Sequence, residues 1–588
     1  MRRYLGDITG GNVLIRILFA LAALALAGCS TPTETPPPAA AAVTARTIST
    51  GALIGSVAAP SGAHAWRAIP FAAPPVGPLR WRAPRPPQPW TGERQALAAA
   101  PWCVQVLSAL DGVPEKRWGE LAGQEDCLTL DVYAPPMGAE AARAAKLPVM
   151  VWIHGGSNVW GRAAQYDGSE LAARRNVIVV VVQYRLGPLG WFAHEAVRVG
   201  GSAPEDASAN FAQLDHIRAL EWVRDEIGAF GGDPGRVTVF GESAGGHNVA
   251  ALLASPRAKG LFHRAIVQSG AFRTVPLEEA EGIVGDRADS GRKVAAKIVQ
   301  GGAVSGDALR AASVKDVYAA YDTSRGGFDP PRVIADGIVL PKDGILPALA
   351  KPETFNAVPV ILGTNRDEMK LFNALNPQLV NRVLGLFPVA RDQAFYDAAS
   401  SYPSQAWRLA GVTMPARTMT TGGHAAVWTY RFDWDEEGRA GLTDLGKLLG
   451  AGHSLEIPFV FGHFKLLGAF DRFAFTKGNA PGRMALSDAM MGYWANFAAT
   501  GDPGRGPDGA LPAWTPWSSA PGAADAMVFD SPAGGGPRME AIGGSAAEIF
   551  DRLFKDPALK TATQRCAVYK ATVRYNSELA GAEASRCP

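Results

Sequence analysis

The run Val237-Thr-Val-Phe-Gly-Glu-Ser-Ala-Gly-Gly246 constrains this chain more than any other segment. Val237, Val239 and Phe240 read as a buried strand that ends in Gly241-x-Ser243-x-Gly245. The next residues, His247-Asn-Val-Ala-Ala-Leu-Leu-Ala254, read as a helix. Such a strand–turn–helix pushes one serine side chain into solvent above the end of a sheet. Side chains on the flanking glycines would clash in so sharp a turn. The bland alternative is a Gly/Ser turn before an ordinary helix. The strand ahead and the helix behind both argue against it.

The rest of the chain supplies the sheet. Leu147–Ile153 and Val177–Val182 are continuous apolar runs, as strands covered on both faces require. Ile217–Ile227 has helical spacing, and His263–Gln268 and Ala357–Leu362 are further short strands. This alternation predicts an α/β fold with a large, mostly parallel central sheet flanked by helices. At 588 residues the chain could hold several domains. The chemistry-bearing segments are spread along it and make sense only around one site, so residues 51–588 are taken as one domain. Lys+Arg 57 against Asp+Glu 55 leaves no basic excess for nucleic acid.

The N-terminus is a separate object. Arg2, Arg3 and Arg16 precede the apolar stretch Ile17–Ala27, which is too short for a stable bilayer span. Residues 1–28 read as a secretory signal. Leu26-Ala-Gly-Cys29 resembles the bacterial lipobox, in which cleavage before the cysteine leaves Cys29 lipidated. The expected location is the outer membrane, through that anchor alone. Ordinary cleavage after Ala27 would instead give a periplasmic or secreted protein. Residues 29–50, rich in Pro, Ala and Thr, read as a tether. Without Cys29, four of the five cysteines remain, an even number in an exported chain. Cys103–Cys127 and Cys566–Cys587 are the expected pairs, because each closes a short local loop.

A serine hydroxyl needs a base to take its proton, and the base needs an orienting acid. In a fold of this kind the chain order is serine, acid, histidine. His64, His154, His194 and His216 come before Ser243, and His247 and His263 follow it too closely. His424 leads into a strand-like run. His453 sits in the glycine-rich loop Gly450-Ala-Gly-His-Ser454 and is the expected base, with His463 its competitor. Leu362-Gly-Thr-Asn-Arg-Asp-Glu368 offers Asp367 and Glu368 at a strand end, and spacing alone does not separate them. His154-Gly-Gly-Ser157 follows the Leu147 strand and resembles an esterase oxyanion loop. Gly156, Ser157 and Ala244 are its expected N–H donors. No metal or organic cofactor is called for, since neither HExxH nor a paired CxxC occurs.

Together these residues resemble the type-B carboxylesterase/cholinesterase family of α/β-hydrolases. Phe230–Gly245 matches that family's serine signature, and Glu125-Asp-Cys-Leu-Thr-Leu-Asp-Val-Tyr-Ala-Pro135 its second signature. The resemblance implies a Ser243–Glu368–His453 triad, Cys103–Cys127 as an early loop disulfide, Glu242 and Glu456 as carboxylates near the histidine, and Ser269 as a supporting hydroxyl. It implies cleavage of small carboxylic esters through an acyl-enzyme. Amides, thioesters or carbamates would use the same residues, and a binding protein without catalysis is the remaining alternative. Ser157 and Asn158 depart from the family, which has glycine and an aromatic there. His216 and His247 replace a usual glutamine and a usual small residue.

Overall fold

The computed structural model describes residues 37–108, 113–321, 332–574 and Cys587. Its central sheet has 11 strands. In chain order they are β1 (Ser56–Val57), β2 (His64–Pro70), β3 (Thr129–Ala134), β4 (Leu147–Ile153), β5 (Ile178–Val182) and β6 (Gly232–Glu242). Then come β7 (Arg264–Gln268), β8 (Val360–Asn365), β9 (Val427–Phe432), β10 (Ala526–Phe529) and β11 (Arg538–Glu540). Across the sheet the order is β11-β10-β9-β8-β7-β6-β4-β5-β3-β2-β1. From β5 to β10 all neighbours are parallel. The flanking pairs are antiparallel.

Apolar runs in the central strands follow from burial on two sides. Val149, Val151 and Ile153 of β4 enter one hydrophobic cluster, and Met150 and Trp152 the other. On β5, Ile178, Val180 and Val182 alternate with Val179 and Val181 in the same way. Each fully buried side chain of this size contributes about 1.5–3 kcal/mol. Helices α1 (Phe211–Glu226) and α2 (Ala244–Ala254) cover the first face, with Leu220, Val249 and Leu253 packed inward.

Three further helices pack around the sheet and the site: α3 (Gln393–Arg408), α4 (Ala480–Thr500) and α5 (Ala546–Lys555). The second face of the sheet lies under α4, through Met490, Trp494 and Phe497. A third cluster joins Tyr396 and Tyr402 of α3 to Ile549 and Leu553 of α5. Cys587 is buried in this cluster and bonded to Cys566. Cys103 and Cys127 form the other disulfide.

Two boundaries differ from the sequence reading. Residues 42–50, expected in the tether, fold with the domain. Arg46–Ile48 pairs antiparallel with Gly51–Ile54, and Trp66 Nε1 donates to the Thr44 carbonyl at 2.7 Å. Composition misled here, because the Pro/Ala-rich stretch runs directly into a strand that buries Arg46 and Ile48. The strand expected from Ala357 begins at Val360, just after Pro359, which has no N–H to give a ladder. Its other end runs on through Thr364 and Asn365. Cys29 and residues 1–28 lie outside the described residues.

Candidate active site

Ser243 sits between β6 and α2 with φ 57° and ψ −119°, the strained geometry of a sharp elbow. Its N–H donates to the Gln268 carbonyl on β7 at 2.9 Å, and its carbonyl accepts from His247 N at 3.0 Å. Glycine is needed at Gly245 because a Cβ there would run into the Ile153 carbonyl. The elbow is thus pressed directly onto the end of β4.

The loop after β4 comes from the other side. A Cβ on Gly155 would lie 3.2 Å from Ser243 Cβ, so this loop packs on the serine itself. Gly156, Ser157 and Asn158 all have positive φ, at 97°, 54° and 59°. Among the described residues, the N–H groups of Gly156, Ser157 and Ala244 donate to no backbone carbonyl. Arg332 donates to the Ser157 carbonyl.

His453 is brought in by the loop before Ile457. Its Nδ1 lies 2.6 Å from Glu368 Oε2. The other Glu368 oxygen accepts from Thr364 Oγ1 and from Asn365 N, both at 2.8 Å. Burial would raise the Glu368 pKa, but His453 first, and then the Asn365 N–H and Ser269, outweigh it and hold the carboxyl below its usual range. Ser269 stands beside Glu368 without an aligned hydrogen bond, a contact that still favours the carboxylate. Asp367 is turned away. It pairs with Arg366 at 2.8 Å and accepts from Ala451 N at 3.2 Å.

The other imidazole nitrogen, Nε2, stands 3.1 Å from Glu242 Oε1, which also accepts from Ser454 Oγ at 2.7 Å. Burial alone would lower the His453 pKa, but Glu242 and Glu368 push it up to about 9. Glu456 is held between Gln268 Nε2 at 3.0 Å and Asn365 Nδ2 at 2.7 Å. Burial raises its pKa, as it does that of Glu242. Trp407 and Phe372 pack on the His453 ring at centroid distances of 4.9 and 5.2 Å.

Several of these contributors escape sequence reading. Thr364 and Asn365 lie beside the Asp-Glu pair, and their position on a strand that continues to its last residue was the available signal. Trp407 comes from α3 and had none. His463, the competitor, is half-buried near Asp167, which raises its pKa, although desolvation wins and lowers it overall. His424 bonds the Val358 carbonyl at 2.9 Å, a structural contact.

This sheet, with its strand-end elbow and the helices on both faces, defines an α/β-hydrolase. The model of the carboxylesterase family matches residues 42–386 and 390–528, so the chain belongs to that family and is a carboxylic-ester hydrolase. The para-nitrobenzyl esterase of Bacillus subtilis (strain 168) is 36% identical over 479 residues, 75% of this chain and 87% of that protein. Human cocaine esterase is 33% identical over 511 residues, 80% of this chain and 85% of that protein. A solved PNB esterase structure aligns with TM-score 0.64 at 33% identity, covering 83% of this chain and 96% of that one.

Proposed function

We propose that the chain cleaves small carboxylic esters through an acyl-enzyme, with Ser243 as nucleophile, His453 as base and Glu368 as the orienting acid. The His453 Nδ1–Glu368 contact of 2.6 Å carries this reading. It holds one proton on Nδ1, leaves Nε2, which faces Glu242 at 3.1 Å, as the nitrogen that exchanges a proton, and stabilises the imidazolium that forms. Ser243 Oγ attacks the ester carbonyl while His453 accepts its proton. The N–H groups of Gly156, Ser157 and Ala244 hold the oxyanion that develops. His453 then protonates the departing alcohol, and water repeats the cycle on the Ser243 ester. Ser243→Ala is expected to abolish turnover of short-chain p-nitrophenyl esters and labelling by a fluorophosphonate. Turnover that survives in that variant would sink the assignment.

The same reading places the chain outside the cytoplasm, anchored through a lipid on Cys29. Its support is the N-terminal sequence and two disulfides, which persist in oxidising compartments. Intact mass of the membrane-extracted protein tests it. An unmodified Cys29, or its absence together with the signal, would overturn the anchor.

A further inference from the structure

A cleft of about 620 Å³ opens at the end of β8, between α3 and α5. That volume lies in the range of small-molecule sites. Its wall carries Arg366, Arg408, Arg431 and Arg552. Two of these are matched. Arg366 pairs with Asp367 and Asp435 at 2.8 and 2.7 Å. Arg431 forks onto Asp433 with two bonds of 2.6 Å.

Arg408 is not matched. It is only 6% exposed, and its hydrogen bond among the described residues is a long one, from Nη2 to the Gly543 carbonyl at 3.3 Å. Asp525 offsets part of its charge from beyond ion-pair distance and gives its own carboxylate to Ile542 N at 2.8 Å. Burial, and then Arg431 and Arg552, pull the Arg408 pKa down to about 10. At the exposed rim, Arg552 donates to the neutral Gln405 amide at 2.5 Å, and Glu548, one turn earlier on α5, faces its charge without a direct bond among the described residues. Of the two acids in the wall, one is ion-paired and the other is held by neutral donors. Asp397 pairs with Lys370 at 3.1 Å, and Asp556 accepts from Tyr402 OH at 2.7 Å and Ala558 N at 2.8 Å.

A guanidinium buried without a counter-ion is costly unless something pairs with it. Here it opens on a cleft with Arg552 at its rim, so an anion with oxygens able to take the guanidinium fork would complete the site. The planar guanidinium fork fits phosphate oxygens two at a time. We propose that this cleft binds a phosphate group, free or on a small monoester, with Arg408 at its floor and Arg552 at its rim.

Calorimetry on the full chain at fixed ionic strength tests this with inorganic phosphate, with glycerol 3-phosphate, and with acetate as a monoanion. Phosphate or the monoester should bind in the millimolar range or tighter, and acetate more weakly. Arg408→Gln should weaken binding about tenfold or more, the scale of one lost charge-assisted bidentate contact. Arg552→Gln should weaken it severalfold. If Arg408→Gln does not fold by circular dichroism, Arg408→Lys, which keeps the charge and loses the fork, and Arg552→Gln carry the test. Tighter binding of glycerol 3-phosphate identifies a monoester site, and equal binding a free-phosphate site. No binding of either phosphate, acetate binding as tightly, or unchanged affinity in the variants would overturn the proposal.

Discussion

Asn248 Nδ2 on α2 donates to Asn158 Oδ1, in the loop after β4, at 2.9 Å. This bond ties the glycine loop to the helix that begins at the serine. Both amides are buried, and the network continues. Tyr184 OH reaches Asn158 Oδ1 at 3.3 Å and the His154 carbonyl at 2.8 Å, and Gln213 Nε2 reaches Asn248 Oδ1 at 2.7 Å. His216 joins through Gln213 at 3.4 Å and stays neutral, because burial lowers its pKa to about 3. Asn158, where the family has an aromatic, therefore works as an anchor for the loop. Asn248→Ala leaves the Asn158 amide short of a partner, which costs about 1–3 kcal/mol of stability. It should also lower kcat roughly 10- to 100-fold with a smaller change in KM, somewhat less than deletion of an oxyanion donor. Steady-state kinetics and the rate of fluorophosphonate labelling check this. A wild-type kcat in a folded variant would mean that the bond holds the fold and not the loop's N–H groups.

The neighbouring acids Asp367 and Glu368 should separate cleanly on substitution. Glu368→Gln removes the charge that orients and stabilises the imidazolium and should lower kcat about 10³- to 10⁴-fold. Asp367→Asn loses its ion pair with Arg366, at a side chain only 12% exposed, and leaves His453 untouched. Its kcat should stay within a few-fold of wild type. Equal losses in the two variants would show that the His453 contact had been over-read.

That pair also shows how far the sequence could be read. The elbow, the order of serine and histidine, and the alternation of apolar runs are local patterns, and they are legible because backbone geometry enforces them. Asp367 and Glu368 differ by one position at a strand end. Only the direction in which β8 finishes turns one toward His453 and the other toward Arg366. Residues 42–50 look like a linker by composition because the burial of Arg46 depends on partners far along the chain, including the Met137 carbonyl at 2.7 Å. The amide network draws on segments between His154 and Asn248, and the arginine cleft on segments between Asn365 and Ala558. No local pattern announces either.

The Cys566–Cys587 bond closes a loop with sequence separation 21 and ends in the cluster shared by α3 and α5. Cross-linking a loop of this length constrains the unfolded chain by about 3 kcal/mol in the chain-entropy model. Replacing both cysteines by serine also puts a hydroxyl at buried position 587. The double variant should melt at a lower temperature, with kcat retained, since the bond touches none of the residues around Ser243. Calorimetric melting beside ester turnover measures both. A lost kcat at full folding would tie the C-terminal segment to the site.

Stability and activity should move in opposite directions as pH rises. Burial alone would lower the His453 pKa, yet Glu242 and Glu368 raise it from 6.5 to about 9. A raised pKa contributes stability that is complete below pH 6.5 and is lost as pH climbs through about 9. Glu242 titrates together with His453: burial raises its pKa, so its ionisation costs folding energy as pH rises, although the imidazolium beside it offsets part of that cost. The contribution of this pair to Tm should therefore fall over that range, while turnover rises because His453, as the proposed base, must be unprotonated. Glu242→Gln removes the first of the two charges that support the imidazolium. The acid limb of kcat/KM against pH should then move down by about one unit, and the fall in Tm should flatten. Thermal melts and kcat/KM measured across this range on both proteins decide it. An unmoved acid limb with an unchanged Tm slope would mean that His453 takes no support from Glu242 across the 3.1 Å between them.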